Sequence, residues 1–190
     1  VIENRENDRL GVIGVARDPY LISPLTLDHN FALEMMGEVD TKGGTAIGSG
    51  MVAAMDTLLK SDADTKVQIV VTDGLSNTGV PPMVAAEMAA EEGIRIYPIE
   101  ILHYRRLRPE QVINHPLHKI AGMTGGQFYQ AADYASLSNI YEQIDQLETS
   151  LLKQKVFKLY TELFPWFVGA GFALLLLEFL LSRIYRRSYP

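Results

Sequence analysis

The sequence contains no cysteine and no basic stripe. Without cysteine there is no disulfide framework and no thiolate chemistry. Acidic residues outnumber basic ones by 23 to 17, for a formal net charge of −6, so a nucleic-acid partner, which needs Lys and Arg against its phosphates, is not predicted. The chain also lacks a Gly-x-x-x-x-Gly-Lys-Ser/Thr loop, which argues against nucleotide hydrolysis.

The opening residues do not have the features of a protein start. The chain begins at Val1, and the residues that follow match no signal peptide. We therefore expect a fragment whose N-terminal part lies upstream. Its 190 residues, 47% of them hydrophobic and 21% charged, are enough for one domain with a true core and an appendage.

Short apolar runs alternate with amphipathic segments along most of the chain. Runs at 10–16, 67–71 and 94–101 are rich in Val and Ile, as in strands that are covered on both faces. Apolar residues with helical spacing follow, most clearly at 45–59 and 136–152. This alternation predicts an α/β fold with a mostly parallel, doubly wound sheet, in which ligands bind at the carboxyl ends of the strands.

The C-terminal part has a different composition. Residues 164–181 are apolar except for Glu178, and at about 1.5 Å per residue they nearly match the thickness of a bilayer core. We expect a transmembrane helix here. The predicted organisation is a domain over 1–152, a juxtamembrane linker over 153–162, a transmembrane helix over 163–184 and a short basic tail over 185–190.

The orientation of this helix is predicted from the positive residues near its ends. Arg183, Arg186 and Arg187 follow the apolar segment closely, whereas an equal number of lysines stand further back on the other side. We therefore expect a cytoplasmic C-terminus and an extracytoplasmic domain at the plasma (inner) membrane.

Two polar loops carry the candidate chemistry. The first, over 43–48, delivers Thr45 to a helix start, and the second places Asp73 at the end of a strand. A hydroxyl and a carboxylate are hard oxygen ligands, which suit Mg²⁺, with Mn²⁺ and Ca²⁺ as alternatives. Taken singly, Thr45 could be a helix N-cap and Asp73 a turn residue.

Both loops belong to a set of short motifs that lie in order along the chain: Asp8-Arg9-Leu10-Gly11-Val12-Ile13, Pro24-Leu25-Thr26, Gly44-Thr45-Ala46-Ile47-Gly48, Val70-Val71-Thr72-Asp73-Gly74 and Met123-Thr124-Gly125-Gly126. In this order they resemble the von Willebrand factor A-type domain of the bacterial membrane-anchored aerotolerance (Bat-type) branch. The start of the final hydrophobic helix, Leu163-Phe164-Pro165-Trp166, is similar to that branch in particular.

The resemblance implies a metal-ion-dependent adhesion site, in which a carboxylate from a partner protein completes the coordination of a divalent ion. Thr45 and Asp73 match two of its three ligand loops. The third, an Asp-x-Ser-x-Ser loop after the first strand, is absent, and the family would place both upstream of Val1. The resemblance also implies binding rather than catalysis, with a MoxR-type ATPase and related VWA proteins as partners in a cell-envelope or stress-related assembly.

Two other functions stay open. One is a metal-dependent, phosphatase-like hydrolase, which would need Asp73 and a second acid or base; Glu100 is the candidate, although we expect it to face solvent. The other is a structural, membrane-tethered domain with a degenerate site. His115 and His118 lack the partners of a zinc site, and Ser49 is not in a nucleophile elbow, so no further catalytic residue is predicted.

Overall fold

The structure, a computed structural model, describes residues 8–36, 44–74, 76, 78–102, 112, 115–159 and 164–187. The elements are β1 (Leu10–Val15), β2 (Pro19–Thr26), α1 (His29–Met36), α2 (Ile47–Leu59), β3 (Val67–Thr72), α3 (Pro82–Glu91), β4 (Arg95–Ile101), α4 (Pro116–Thr124), β5 (Tyr129–Ala131), α5 (Tyr134–Leu159) and α6 (Phe164–Arg187). The chain divides into two compact units, Val1–Asp145 and Gln146–Pro190.

The first unit contains a parallel sheet of three strands in the order β3-β4-β5. Side chains alternate between its faces. One face packs against apolar residues of α2, α3 and α4, including Met51, Ala86 and Ile120. The other carries Tyr97 and Ile99 against the part of α5 that includes Ile140 and Ile144. Helices therefore cover both faces, which confirms the predicted α/β fold with a parallel sheet.

The strand predicted at 10–16 has a different environment from the one expected. It forms β1, which pairs antiparallel with β2 in a two-stranded sheet, and β2 was not predicted as a strand. The turn between Val15 and Pro19 is short enough for a hairpin. Val15 is exposed, so among the described residues β1 is not covered on both faces.

The motif at 123–126 has a structural role. The buried hydroxyl of Thr124 accepts a hydrogen bond from the Ile96 amide at 3.1 Å and donates one to the carbonyl of Ile120 at 3.1 Å. A Cβ atom on Gly126 would lie 1.9 Å from the carbonyl oxygen of Ile96, so only glycine fits there. The motif thus attaches the end of α4 to the beginning of β4.

The second unit contains the end of α5 and the whole of α6. The predicted helix at 136–152 continues to Leu159, into the segment expected to be a linker, while residues 160–163 and 188–190 lie outside the described part. Large apolar side chains on α6, such as Trp166, Phe172 and Leu175, are exposed. Over the residues that the structure describes, no helix has both the length and the apolar character that a membrane crossing requires.

Candidate metal site

The loop that carries Thr45 packs against the end of β1. Gly44 has a φ of +95°, and a Cβ atom there would lie 3.3 Å from the Cα atom of Arg17. The Ala46 amide donates a hydrogen bond to the carbonyl of Ala16 at 2.9 Å. Ala46 is the N-cap of α2 and makes no side-chain capping bond. Thr45 therefore precedes the cap, and the interpretation of Thr45 as an N-cap is wrong.

The loop that carries Asp73 begins with a tight turn at the end of β3. The buried hydroxyl of Thr72 donates to the Gly74 carbonyl at 2.7 Å and accepts from the Gly74 amide at 3.2 Å. Asp73 lies between these two residues and is exposed. The Thr72 side chain thus holds the backbone on either side of Asp73, and the carboxylate is presented where the strand ends.

Two serine hydroxyls, one as donor and one as acceptor, form hydrogen bonds between the two chain segments. The Ser76 hydroxyl lies 3.1 Å from the Thr45 carbonyl oxygen and 3.3 Å from that of Thr78. The amide of Val80 donates to the Ser49 hydroxyl at 3.0 Å. The structure therefore brings the loops of Thr45 and Asp73 together at the carboxyl end of β3. Ser76 was not predicted, since a serine in a loop gives no signal of its own.

The donor set of these loops suits a hard divalent cation. The Thr45 hydroxyl and the Asp73 carboxylate carry oxygen atoms of the kind that Mg²⁺ prefers, and Mg²⁺ commonly keeps several waters beside one or two protein ligands. No group of three or more His, Cys, Asp and Glu residues able to hold a metal ion occurs within the described ranges. A magnesium-type ion at Thr45 and Asp73 would thus need ligands from water or from elsewhere.

A second polar group lies at the same edge of the sheet. Thr72, Glu100 and Gln130 occupy paired positions on β3, β4 and β5. The Gln130 amide donates to Oε2 of Glu100 at 2.8 Å, and Nε2 of His115 lies 3.5 Å from Oε1. The Glu100 side chain is only 17% exposed, so the expectation that it faces solvent is wrong. Its position on the central strand brings neighbours to both oxygens.

His115 and Ser49, for which no catalytic role was predicted, are also held by the protein. The Leu117 amide donates to Nδ1 of His115 at 3.4 Å, and the His115 ring stacks on Phe128 with centroids 5.2 Å apart. Both ring nitrogens of His115 thus face protein groups, which leaves neither for a zinc ion shared with the exposed His118. Ser49 lies in the first turn of α2 and accepts a backbone bond, so its contact is structural.

The model of the von Willebrand factor type A domain family matches residues 1–143. An uncharacterized protein of Borreliella burgdorferi is 26% identical over an alignment of 206 residues. The alignment covers 98% of this chain and 60% of the relative. This chain therefore spans less than two thirds of the length of that curated relative.

Two solved structures show the same fold. BatB from Bacteroides thetaiotaomicron is 23% identical, with 78% of this chain and 83% of that chain covered and a TM-score of 0.63. An aerotolerance-related membrane protein from Bacteroides fragilis is 21% identical, with 76% and 81% covered and a TM-score of 0.60. Both have the fold that the sequence predicted. Because the family model matches most of its length, the chain belongs to the von Willebrand factor type A domain family, as its motifs predicted.

Proposed function

We propose that this chain is a protein-binding module that engages a carboxylate of a partner protein through a divalent ion, Mg²⁺ above all, held by Thr45 and Asp73. The observation that carries the proposal is the hydrogen bond from the Ser76 hydroxyl to the Thr45 carbonyl, which joins the two loops. Two oxygen donors from separate chain segments are thereby presented at one edge of the sheet, where ligands bind in folds of this class.

The charges favour an acidic ligand only when the ion is bound. The chain has a net charge of −6, which by itself repels an acidic partner. A divalent ion coordinated by one carboxylate keeps a positive charge, and a bound cation is often the largest local charge in a site. The ion therefore makes the site attractive to a carboxylate and gives the interaction its dependence on metal.

Unpaired strand edges support the presence of a further strand, and of further metal ligands, outside the described residues. Within those residues, β1 pairs with β2 alone and β3 pairs with β4 alone. The β3 side chains of Ile69 and Val71 are exposed although they are strongly apolar. A further strand followed by the Asp-x-Ser-x-Ser loop, as the family resemblance implies, would cover these edges and supply the other metal ligands.

The contacts of Glu100 and His115 favour binding over a metal-dependent hydrolase. Hydrolysis would need a second acid or base beside the ion. The two carboxylate oxygens of Glu100 face Gln130 and His115, and the remaining nitrogen of His115 caps α4. These groups are engaged in holding β4, β5 and α4 together. A structural domain with a degenerate site is the other alternative, and a metal titration separates it from the proposal.

That titration is calorimetry of the full-length protein with MgCl₂. Thr45→Ala and Asp73→Ala should each weaken magnesium binding by about tenfold or more while the thermal midpoint stays close to wild type, since both residues lie outside the core. Asp62→Ala is the matched control, because Asp62 is an exposed acid that pairs with Arg9 at the surface. Unchanged affinity in both site variants would sink the proposal.

We further propose that α6 anchors the domain in the plasma membrane, with the domain outside and the C-terminus in the cytoplasm. Large apolar side chains of α6 are exposed, which supports a location of this helix in the apolar interior of a membrane. The Bacteroides fragilis protein of the same fold is described as a membrane protein. The arginines that end the helix support the orientation. Protease added to intact spheroplasts should digest the domain; protection until the membrane is opened would contradict the orientation.

The family resemblance also supports a MoxR-type ATPase and related VWA proteins as partners of this module. A carboxylate on such a partner would reach the ion through the open coordination position. Co-purification of the full-length protein in magnesium and in EDTA tests this proposal. We expect recovery of the partner in magnesium alone, and equal recovery in EDTA would show that the ion plays no part.

A further inference from the structure

We propose that Ser76 is a positioning residue that orients Thr45 towards the divalent ion. This inference rests on the proposed function and adds a residue that is not among the expected ligands. The Ser76 hydroxyl lies 3.1 Å from the carbonyl oxygen of Thr45, and the Ala46 amide donates to the Ala16 carbonyl at 2.9 Å. The Thr45 carbonyl and the Ala46 amide belong to one peptide group, so that group is held from both ends.

A peptide group that is held at both ends has little rotational freedom. Because the group is planar, the two bonds together set ψ of Thr45 and φ of Ala46, which is −97°. Ala46 is fully buried, so it cannot move aside. Threonine is β-branched and stiff at χ1, so its hydroxyl has few positions once its backbone is set. Ser76 therefore controls where the Thr45 oxygen points, through the backbone.

The same side chain connects the Thr45 loop to the Asp73 loop. Ser76 follows Asp73 by three positions, and its hydroxyl is also 3.3 Å from the carbonyl of Thr78. A hydroxyl has one hydrogen to donate, so the two carbonyls share it. Mg²⁺ requires near-octahedral geometry, which makes its affinity sensitive to the relative position of ligands on separate loops.

Three variants of the full-length protein test this role by calorimetry with MgCl₂. Ser76→Ala removes the hydroxyl and should weaken magnesium binding about tenfold, the lower end of what loss of an orienting partner does to metal affinity. Ser76→Thr keeps a hydroxyl and should restore the affinity to within roughly threefold of wild type. Ser49→Ala is the matched control, because the 3.0 Å bond that it removes lies between the same two segments but goes to the Val80 amide instead of the Thr45 carbonyl.

The outcomes separate a positioning role from a general loosening of the loops. We expect Ser76→Ala and Ser49→Ala to lower the thermal midpoint alike, while Ser76→Ala alone loses magnesium affinity. An equal loss of affinity in both variants would overturn the positioning role, and so would a Ser76→Ala protein that binds magnesium like wild type; in either case the metal site itself would stand. A wild-type protein that does not bind magnesium would overturn the proposed function and this inference together.

Discussion

Nε2 of His115 lies 3.5 Å from Oε1 of Glu100, while Nδ1 of the same ring accepts a hydrogen bond from the Leu117 amide. One side chain thus connects the start of α4 to the carboxyl end of β4. Stacking of the ring on Phe128 extends this contact to the core. Because the pair is mostly buried, with 14% and 17% of the side chains exposed, its loss should be measurable in the free energy of unfolding.

His115→Ala should therefore destabilise the domain, by about 1–2 kcal/mol from the lost cap and the lost stacking contact. Urea denaturation measures the change. His118→Ala is the control, since His118 lies on the same helix but is exposed. If both variants unfold at the same urea concentration as wild type, His115 does not connect these elements in the way its contacts indicate.

Two glycines near the end of α4 should respond in opposite directions to alanine. Gly126→Ala places a Cβ atom 1.9 Å from the backbone oxygen of Ile96 and should cost about 2–3 kcal/mol or more. Gly122→Ala lies inside the helix, where no described atom other than its chain neighbours and the backbone of its own helix comes within 4 Å of the new Cβ, and should stabilise by about 0.5–1 kcal/mol. The thermal midpoint of each variant shows the direction of its change in stability. A Gly126→Ala protein as stable as wild type would show that the packing around Gly126 is looser than this distance indicates.

The alkaline limit of stability should depend on Tyr129. Burial raises the pKa of the Tyr129 phenol above its usual value of 10.0. Above pH 10 the unfolded chain therefore ionises at this residue while the folded chain keeps its proton, so stability falls as pH rises from there. Tyr129→Phe removes this contribution, and the loss of stability between neutral pH and pH 11 should be smaller in the variant. Some loss should remain, because burial also raises the pKa of Tyr141.

At neutral pH, Tyr129→Phe should be as stable as wild type or slightly more stable. The Tyr129 hydroxyl is buried, with no hydrogen-bond partner among the described residues, and an unpaired buried hydroxyl costs roughly 1–3 kcal/mol. Tyr134→Phe is the control, since Tyr134 is 85% exposed and should change neither value. Chemical denaturation across pH checks both statements, and a marked loss of stability at pH 7 would reveal a bond to the hydroxyl.

The periodic parts of the chain were predictable, because burial imposes their pattern. The runs that form β3 and β4 are short, apolar and β-branched, and the apolar stripe of α2 has helical spacing. The pairing of β1 was not predictable, since an apolar run gives no information about which strand lies beside it. The strand β2 was not predicted because its two prolines, Pro19 and Pro24, argue against a strand.

The candidate site was predictable only at the level of its loops. Strand ends place Asp73 and the Thr45 loop at one edge, and the structure has these loops in contact through Ser76. The engagement of Glu100 was missed, because its partners Gln130 and His115 are distant in sequence and become neighbours only through strand register and helix capping. Contacts of that kind depend on tertiary structure, which local patterns do not carry.

The most direct test of the metal-dependent binding account is a crystal structure of the full-length protein grown with Mn²⁺, located by its anomalous scattering. Manganese accepts the same oxygen ligands as magnesium and is visible where magnesium resembles water. We expect one ion coordinated by the Thr45 hydroxyl and the Asp73 carboxylate, with a coordination position left to water or to a carboxylate from another molecule. A crystal grown in millimolar manganese that shows no ion at these two residues, or shows the ion elsewhere on the domain, would contradict metal-dependent binding at this site.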